Sequence, residues 1–316
     1  MARHTALFMP SRISDLGTTI KVVSIPSFPG NRQGLPASTL VLDEVTGCVK
    51  AIVNATALTA LRTAAGAIPF PFRLVGRRRV EAYHTTGSVL ATRLLVSKVP
   101  KTLVAFGAGK QIQAHVDLHL RTFPSFESCT IVNRTDGVRL HELASSLRQS
   151  HPSVAFNTLT LDDSRVKDAV RNADVICTAT SSERPLFPSD WVSPGTHLNL
   201  VGSFTPRMHE VDSQLVNRAW KVVVDSREAC AVEAGELIAA GKAVGPNASL
   251  IELGELVEEG DDGKFVPMLH EDFREPDGVT IFKSVGVGLQ DVAIASLVLS
   301  HAEHMGYGTR IDNYHI

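Results

Sequence analysis

Short apolar runs alternate with stretches of helical periodicity through the middle of the chain. Thr102-Leu-Val-Ala-Phe106 ends in Gly107-Ala108-Gly109, and a polar-apolar pattern of helical period follows from Gln111 to Arg121, which predicts strand, tight turn and helix. Cys129 to Asn133 repeats the strand signal, and a helical stretch covers 137–149. Further β-prone runs lie at Val154 to Leu159, Val175 to Thr180, His197 to Val201 and Lys221 to Asp225. Each parallel pair of strands needs a crossover, so this alternation predicts an α/β fold built on a doubly wound parallel sheet, placed at residues 97–281.

The flanks follow a different pattern. Ile20 to Pro26, Ser38 to Leu42 and Cys48 to Val53, with Asp43 to Gly47 as a turn, read as a strand and a hairpin. Asn54 to Ala67 and Gly288 to His304 read as helices. A second, smaller α+β domain is therefore expected to combine both ends of the chain, 1–96 with 282–316.

Composition narrows the function classes. Of 316 residues 44% are hydrophobic and 20% charged, which excludes disordered and fibrous chains. Lys plus Arg number 31 against 33 Asp plus Glu, so no net field draws the chain to nucleic acid or an anionic membrane. Cys48, Cys129, Cys177 and Cys230 are far apart and form no CxxC pair; they read as reduced thiols of a cytoplasmic protein. The apolar stretch Thr5 to Pro10 is too short for a secretory signal, and Ser284 to Ser300, which contains Gln290 and Asp291, suits a half-buried helix better than a membrane span.

Two local signals carry candidate chemistry. The Gly107-Ala108-Gly109 turn, between a strand and a helix, would let backbone N–H groups approach a pyrophosphate with no Cβ in the way. Ile112 stands where the third small residue of such a fingerprint falls, so a slightly wider helix–strand spacing is expected. At the end of the next strand, Asn133-Arg134-Thr135 has no acid for the ribose hydroxyls, and a guanidinium there suits a 2′-phosphate. Arg62, alone in a small, apolar helix, is either a snorkelling structural residue or functional. Lys21, in an extended run, is either an exposed edge charge or functional. His115 and His119 have i, i+4 spacing without the Glu of HExxH, so no metal site is expected. Glu258 to Gly263 reads as an acidic surface turn.

The strings LTALRTAAG, VAFGAGKQ, IVNRT, ADVICTATSSERPLF, WVSPGTHLNLVGS, VVVDSREA and FKSVGVGLQDVA resemble, in order and spacing, those of the ornithine cyclodeaminase/mu-crystallin family. The resemblance implies a Rossmann-type domain inserted into a substrate-binding and dimerising domain, hence a homodimer. It also implies that Lys21 and Arg62 hold the carboxylate of an amino or imino acid. Thr63, Gly107, Ala108, Gly109, Gln111, Asn133, Arg134, Thr135, Thr178, Val201 and Gly202 are implied to line a dinucleotide.

Departures from the family pattern steer the choice within it. The deaminating cyclases carry a catalytic Asp in a VGxD motif, where this chain has Val201-Gly202-Ser203-Phe204, and a Glu where this chain has Leu7. A second substrate-binding Arg, ahead of that point in most members, is matched at best by Arg3. The expected activity is therefore NADPH-dependent reduction of the C=N bond of an imino acid, such as a pyrroline or piperideine carboxylate, with NADH a poorer donor. A non-catalytic, NADPH-dependent binder of small ligands and an ornithine cyclodeaminase-like lyase are the alternatives. Residues 67–87, with Pro69, Pro71 and Arg77 to Arg79, interrupt a helix that the family carries through. They are expected to pack poorly against the Rossmann domain, and a lid, a loop at a dimer edge and a translated intron all stay open.

Overall fold

The computed structural model describes residues 4–14, 16–26, 36–65, 87–243, 249–259, 265–268 and 275–311. Residues 67–86 of the 67–87 interruption, most of the acidic turn at 258–263, and Arg3 lie outside the described residues. Contacts divide the chain into two compact units, one of residues 1–62, 74–85 and 287–316, the other of 63–73 and 86–286.

The first unit holds an antiparallel sheet in the order β1 (His4–Ile13), β2 (Gly17–Pro26), β3 (Ala37–Leu42) and β4 (Val49–Asn54), followed by α1 (Ala55–Ala65). The β3–β4 turn forms because the Asp43 carboxylate accepts from the N–H groups of Val45 and Thr46, at 3.1 and 2.8 Å, while Gly47 supplies φ +71°. Along β2 and β3, residues of one parity are buried (Thr19, Lys21, Val23; Ala37, Thr39, Val41) and those of the other are not, the period-2 mark of a sheet covered on one face.

The second unit opens with α2 (Ser88–Leu95) and β5 (Thr102–Phe106), then continues with α3 (Lys110–Thr122), β6 (Ser128–Asn133), α4 (Val138–Ser150), β7 (Ala155–Thr160), α5 (Arg165–Arg171) and β8 (Val175–Thr178). There follow β9 (His197–Leu200), α6 (Ser213–Arg218), β10 (Lys221–Val224), α7 (Arg227–Glu233), α8 (Gly235–Ala239), β11 (Leu250–Glu252), β12 (Val257–Glu259), β13 (Phe265–Pro267) and β14 (Thr280–Lys283). Eight of these strands form one sheet in the order β11-β10-β14-β9-β8-β5-β6-β7, every adjacent pair parallel. Its central strands, β5, β6, β8, β9, β10 and β14, are buried on both faces, as a doubly wound sheet requires, while the edge strand β7 exposes alternate residues. Leu103, Ala105 and Ile131 pack under Ile112, Val116 and Leu120 of α3 and Leu140, Leu143 and Leu147 of α4. Val104, Phe106 and Ile176 face Val166 and Val170 of α5 and Leu215 of α6. The order reverses between β5 and β8, which makes their carboxyl ends the switch point where such folds bind ligands.

The chain returns to the first unit with α9 (Gly288–Met305), which packs against β1, β2 and β3. No helix among the described residues is long and apolar enough to cross a membrane.

Candidate active site

In the first unit, three charged side chains meet under α9. Lys21, from β2, is 1% exposed and places Nζ 2.7 Å from Oδ2 of Asp291; Arg62, from α1, places Nε 3.1 Å from Oδ1 of the same carboxylate. The Arg62 Nη1 group donates to the carbonyl of Val287 at 3.2 Å and to Oε1 of Gln290. Lys21 is therefore no edge charge, since β2 lies between β1 and β3, and Arg62 is no snorkeller.

Two cations share one carboxylate in this buried cluster, leaving one positive charge in excess. Burial alone disfavours the ammonium of Lys21, and Arg62 repels it further; the attraction of Asp291 offsets only part of this, so the pKa falls from 10.5 to about 8. A cluster with an unbalanced cation suits a ligand carboxylate, and an ammonium poised near 8 can give up a proton at moderate pH. Asp291 was absent from the sequence-derived site; its signal was a lone acid in an apolar helix, inside the quoted string FKSVGVGLQDVA.

Apart from Thr63, the second unit gathers the other predicted residues along the carboxyl edge of its sheet. Gly107 follows β5 with φ +118°, and a Cβ there would lie 2.9 Å from the carbonyl oxygen of Ala179, so only glycine fits without movement. Ala108 is half-buried, and Gly109 caps α3, where an added Cβ meets nothing within 4 Å. The N-terminus of α3 is thus open to an anion, which fits the pyrophosphate of a dinucleotide. Gln111 lies in the first turn of that helix. Asn133, at the end of β6, donates from Nδ2 to the carbonyl of Thr135 at 2.9 Å, and Arg134 and Thr135 are exposed. Thr63 is buried on α1, next in sequence to Arg62.

Thr178 and Gly202 are tied to a residue that the sequence reading did not single out. Thr178 Oγ1 and Gly202 N each donate at 2.7 Å to Oε2 of Glu210, and Thr180 donates to Oε1 from N and Oγ1, at 2.7 and 2.9 Å. Glu210 is fully buried; burial pushes its carboxyl up, while the neighbouring Lys283 ammonium and these hydrogen bonds oppose the rise. Val201 is buried beside Gly202. Ser203 Oγ donates to the carbonyl of Met208 at 2.7 Å, and Phe204 is 42% exposed.

His115 and His119 are fully buried; their Nε2 atoms pair with the hydroxyls of Ser88 and Thr92, each at 2.9 Å, joining α3 to α2. Burial pushes the thiols of Cys129, Cys177 and Cys230 up, Cys177 to about 12, so they rest as neutral thiols.

Comparison with known proteins agrees with this layout. The profile of the ornithine cyclodeaminase/mu-crystallin family matches residues 69–306, most of the chain. The chain belongs to this family. A Delta(1)-pyrroline-2-carboxylate reductase from Bacillus cereus is 29% identical, over 98% of this chain and 85% of its own. The ketimine reductase mu-crystallin of Mus musculus is 30% identical, over 83% of this chain and 68% of its own. Among solved structures, the Delta(1)-pyrroline-2-carboxylate reductase of Thermococcus litoralis, in complex with NADH and L-proline, superposes with a TM-score of 0.77 at 26% identity, covering 98% of this chain and 85% of that one.

Proposed function

We propose that this family member is a nicotinamide-dependent reductase of the C=N bond in a cyclic imino acid of the pyrroline- or piperideine-carboxylate type, with NADPH preferred over NADH. The observation that carries the reading is the buried Lys21–Asp291–Arg62 cluster with its one excess positive charge. The names of the relatives at 29% and 30% identity support the same reaction class.

The nicotinamide, when bound, supplies the hydride; the remaining work falls to the chain. Arg62 holds the substrate carboxylate through its guanidinium, which Asp291, Gln290 and the Val287 carbonyl keep in one orientation. Lys21 donates a hydrogen bond or a proton at the imine nitrogen, which raises the electrophilicity of the adjacent carbon and leaves a neutral secondary amine after hydride addition. Gly107 to Gly109 and the N-terminus of α3 cradle the pyrophosphate, and Arg134 meets the 2′-phosphate.

The lyase alternative loses support at Phe204, because a phenyl ring offers no base for the attacking amine of ornithine. The test is a screen of purified protein with NADPH and NADH against pyrroline-2-carboxylate, piperideine-2-carboxylate, pyruvate with ammonia, and ornithine. Steady oxidation of NADPH with a cyclic imino acid is expected. Proline and ammonia formed from ornithine with catalytic NAD, and no net oxidation with any imino acid, would overturn the assignment. Nucleotide binding without turnover on any of the four would instead favour a non-catalytic ligand binder.

A further inference from the structure

The loops after β8 and β9 share one buried anchor. Thr178 ends β8, Thr180 lies two residues beyond it, and Gly202 follows β9; all three donate to the carboxylate of Glu210, at 2.7 to 2.9 Å. The approach is close enough that a Cβ on Gly202 would sit 2.1 Å from the carbonyl oxygen of Thr180 and 2.4 Å from Oε1 of Glu210. Sheet order places β8 next to β5, on the opposite side from β6. A doubly wound sheet binds the two halves of a dinucleotide on either side of that reversal. The glycine turn after β5 and Asn133 to Thr135 after β6 belong to the adenosine and pyrophosphate side, which leaves the β8 and β9 loops to the nicotinamide side.

The geometry points to Glu210 as a positioning residue for the nicotinamide half of the dinucleotide, acting through the Thr178–Thr180 and Val201–Gly202 loops. This rests on the dinucleotide reading given above. The carboxylate suits the task because each of its oxygens accepts from one backbone N–H, Oε1 from Thr180 and Oε2 from Gly202. An amide at this position, in either orientation, sets its own NH2 against one of those N–H groups, and one loop loses its anchor. Ala179, between the two anchored threonines, keeps its own N–H bond to the Phe106 carbonyl at 3.1 Å, and Asn133 to Thr135 do not donate to Glu210, so the adenosine side keeps its contacts.

The experiment measures binding of NADPH and of 2′-phospho-ADP-ribose, which lacks the nicotinamide, by calorimetry on the unmodified protein and on Glu210→Gln. NADPH affinity should fall about tenfold or more, roughly 1.4 kcal/mol, while the fragment stays within about twofold. Thr178→Val removes one donor and leaves the carboxylate; it should weaken NADPH about threefold, with the fragment unchanged. This milder variant decides the matter by the same criterion if Glu210→Gln does not fold. Equal loss for both compounds, or loss for neither, overturns the role of Glu210 alone. Failure of the unmodified protein to bind either compound overturns the reductase reading along with it.

Discussion

At the scale of single residues, the Lys21–Asp291–Arg62 cluster is held by charge rather than by packing, and the three charges are not equivalent. Removing Asp291 leaves two buried cations with no anion between them, so Asp291→Ala should destabilise the fold by about 3–5 kcal/mol. Lys21→Met removes the excess charge and leaves the Arg62–Asp291 pair, so its denaturant midpoint should hold or rise while kcat falls. Chemical denaturation of both variants checks the pair, and equal destabilisation would contradict the unequal roles. With the Lys21 pKa lowered to about 8, the protonated donor is present below that pH and lost above it. Log kcat/KM for an imino acid should therefore bend downward near pH 8, and the bend should vanish in Lys21→Met. Arg62→Ala should mainly raise KM. Arg134, exposed after β6, is proposed to select the cofactor: a charge-assisted hydrogen bond contributes about 1.5–3 kcal/mol, so Arg134→Ala should cost about ten- to a hundredfold in NADPH affinity with little effect on NADH. Equal affinity of the unmodified protein for both nucleotides would remove that role.

At the scale of elements, acid should undo the join between α2 and α3. Burial lowers His115 from 6.5 to about 4, His119 to about 3 and His197, on β9, to about 4, so all three are neutral in the fold at pH 7. The unfolded chain binds their protons near 6.5 and the native chain does not. Their contribution is thus fully present above pH 6.5 and is lost progressively as pH falls from there towards 4 and 3. Urea midpoints recorded from pH 7 to 4.5 should fall steadily, and replacing His119 with Gln should flatten the slope; a pH-independent midpoint in the unmodified protein would contradict the coupling. Thr102 to Phe106, Ser128 to Asn133 and α3 announced themselves because strand, glycine turn and a buried stripe at 112, 115, 116, 119 and 120 agree with one another. β1 was missed because His4 to Phe8 are exposed on both faces, so no alternation marks the strand. β14 escapes notice because only Ile281 and Phe282 of its four residues are apolar, and the buried Lys283 at its end breaks the run. Glu210 and Asp291 were illegible for a related reason. An acid in a loop, or a lone one in an apolar helix, shows no purpose until the fold brings Thr178, Thr180 and Gly202, or Lys21 and Arg62, to its oxygens.

At the scale of the whole molecule, the sheet of the first unit has one face under α9 and an apolar row on the other. Pro10, Ile20, Leu40 and Ile52, one from each strand, lie opposite one another across β1 to β4, with Phe8 and Val22 forming the next pair alongside. Ile52 is 64% exposed and Phe8 69%, a costly arrangement for large apolar side chains that adjoin rather than scatter. Arg12 and Glu44, 3.0 Å apart, set a charged pair at the margin, so the patch has an apolar centre and a polar edge, the anatomy of a protein interface. We take its occupant to be the same face of a second copy, in keeping with the dimerising domain that the family resemblance implies; a flat, apolar sheet face can meet itself about a two-fold axis with every contact made twice. Phe8→Asp should then bring a charge against its own symmetry mate, or against the apolar row of the partner, and break the association, whereas Lys50→Asp at the exposed margin should not. Light scattering coupled to size exclusion, run at several protein concentrations, checks this. A dimer is expected for the unmodified chain and for Lys50→Asp, and a monomer for Phe8→Asp with its NADPH affinity intact, since the glycine turn and Asn133 to Thr135 lie in the other unit. A dimer that survives Phe8→Asp together with Ile52→Asp would place the interface elsewhere, and the exposed row would then need another explanation.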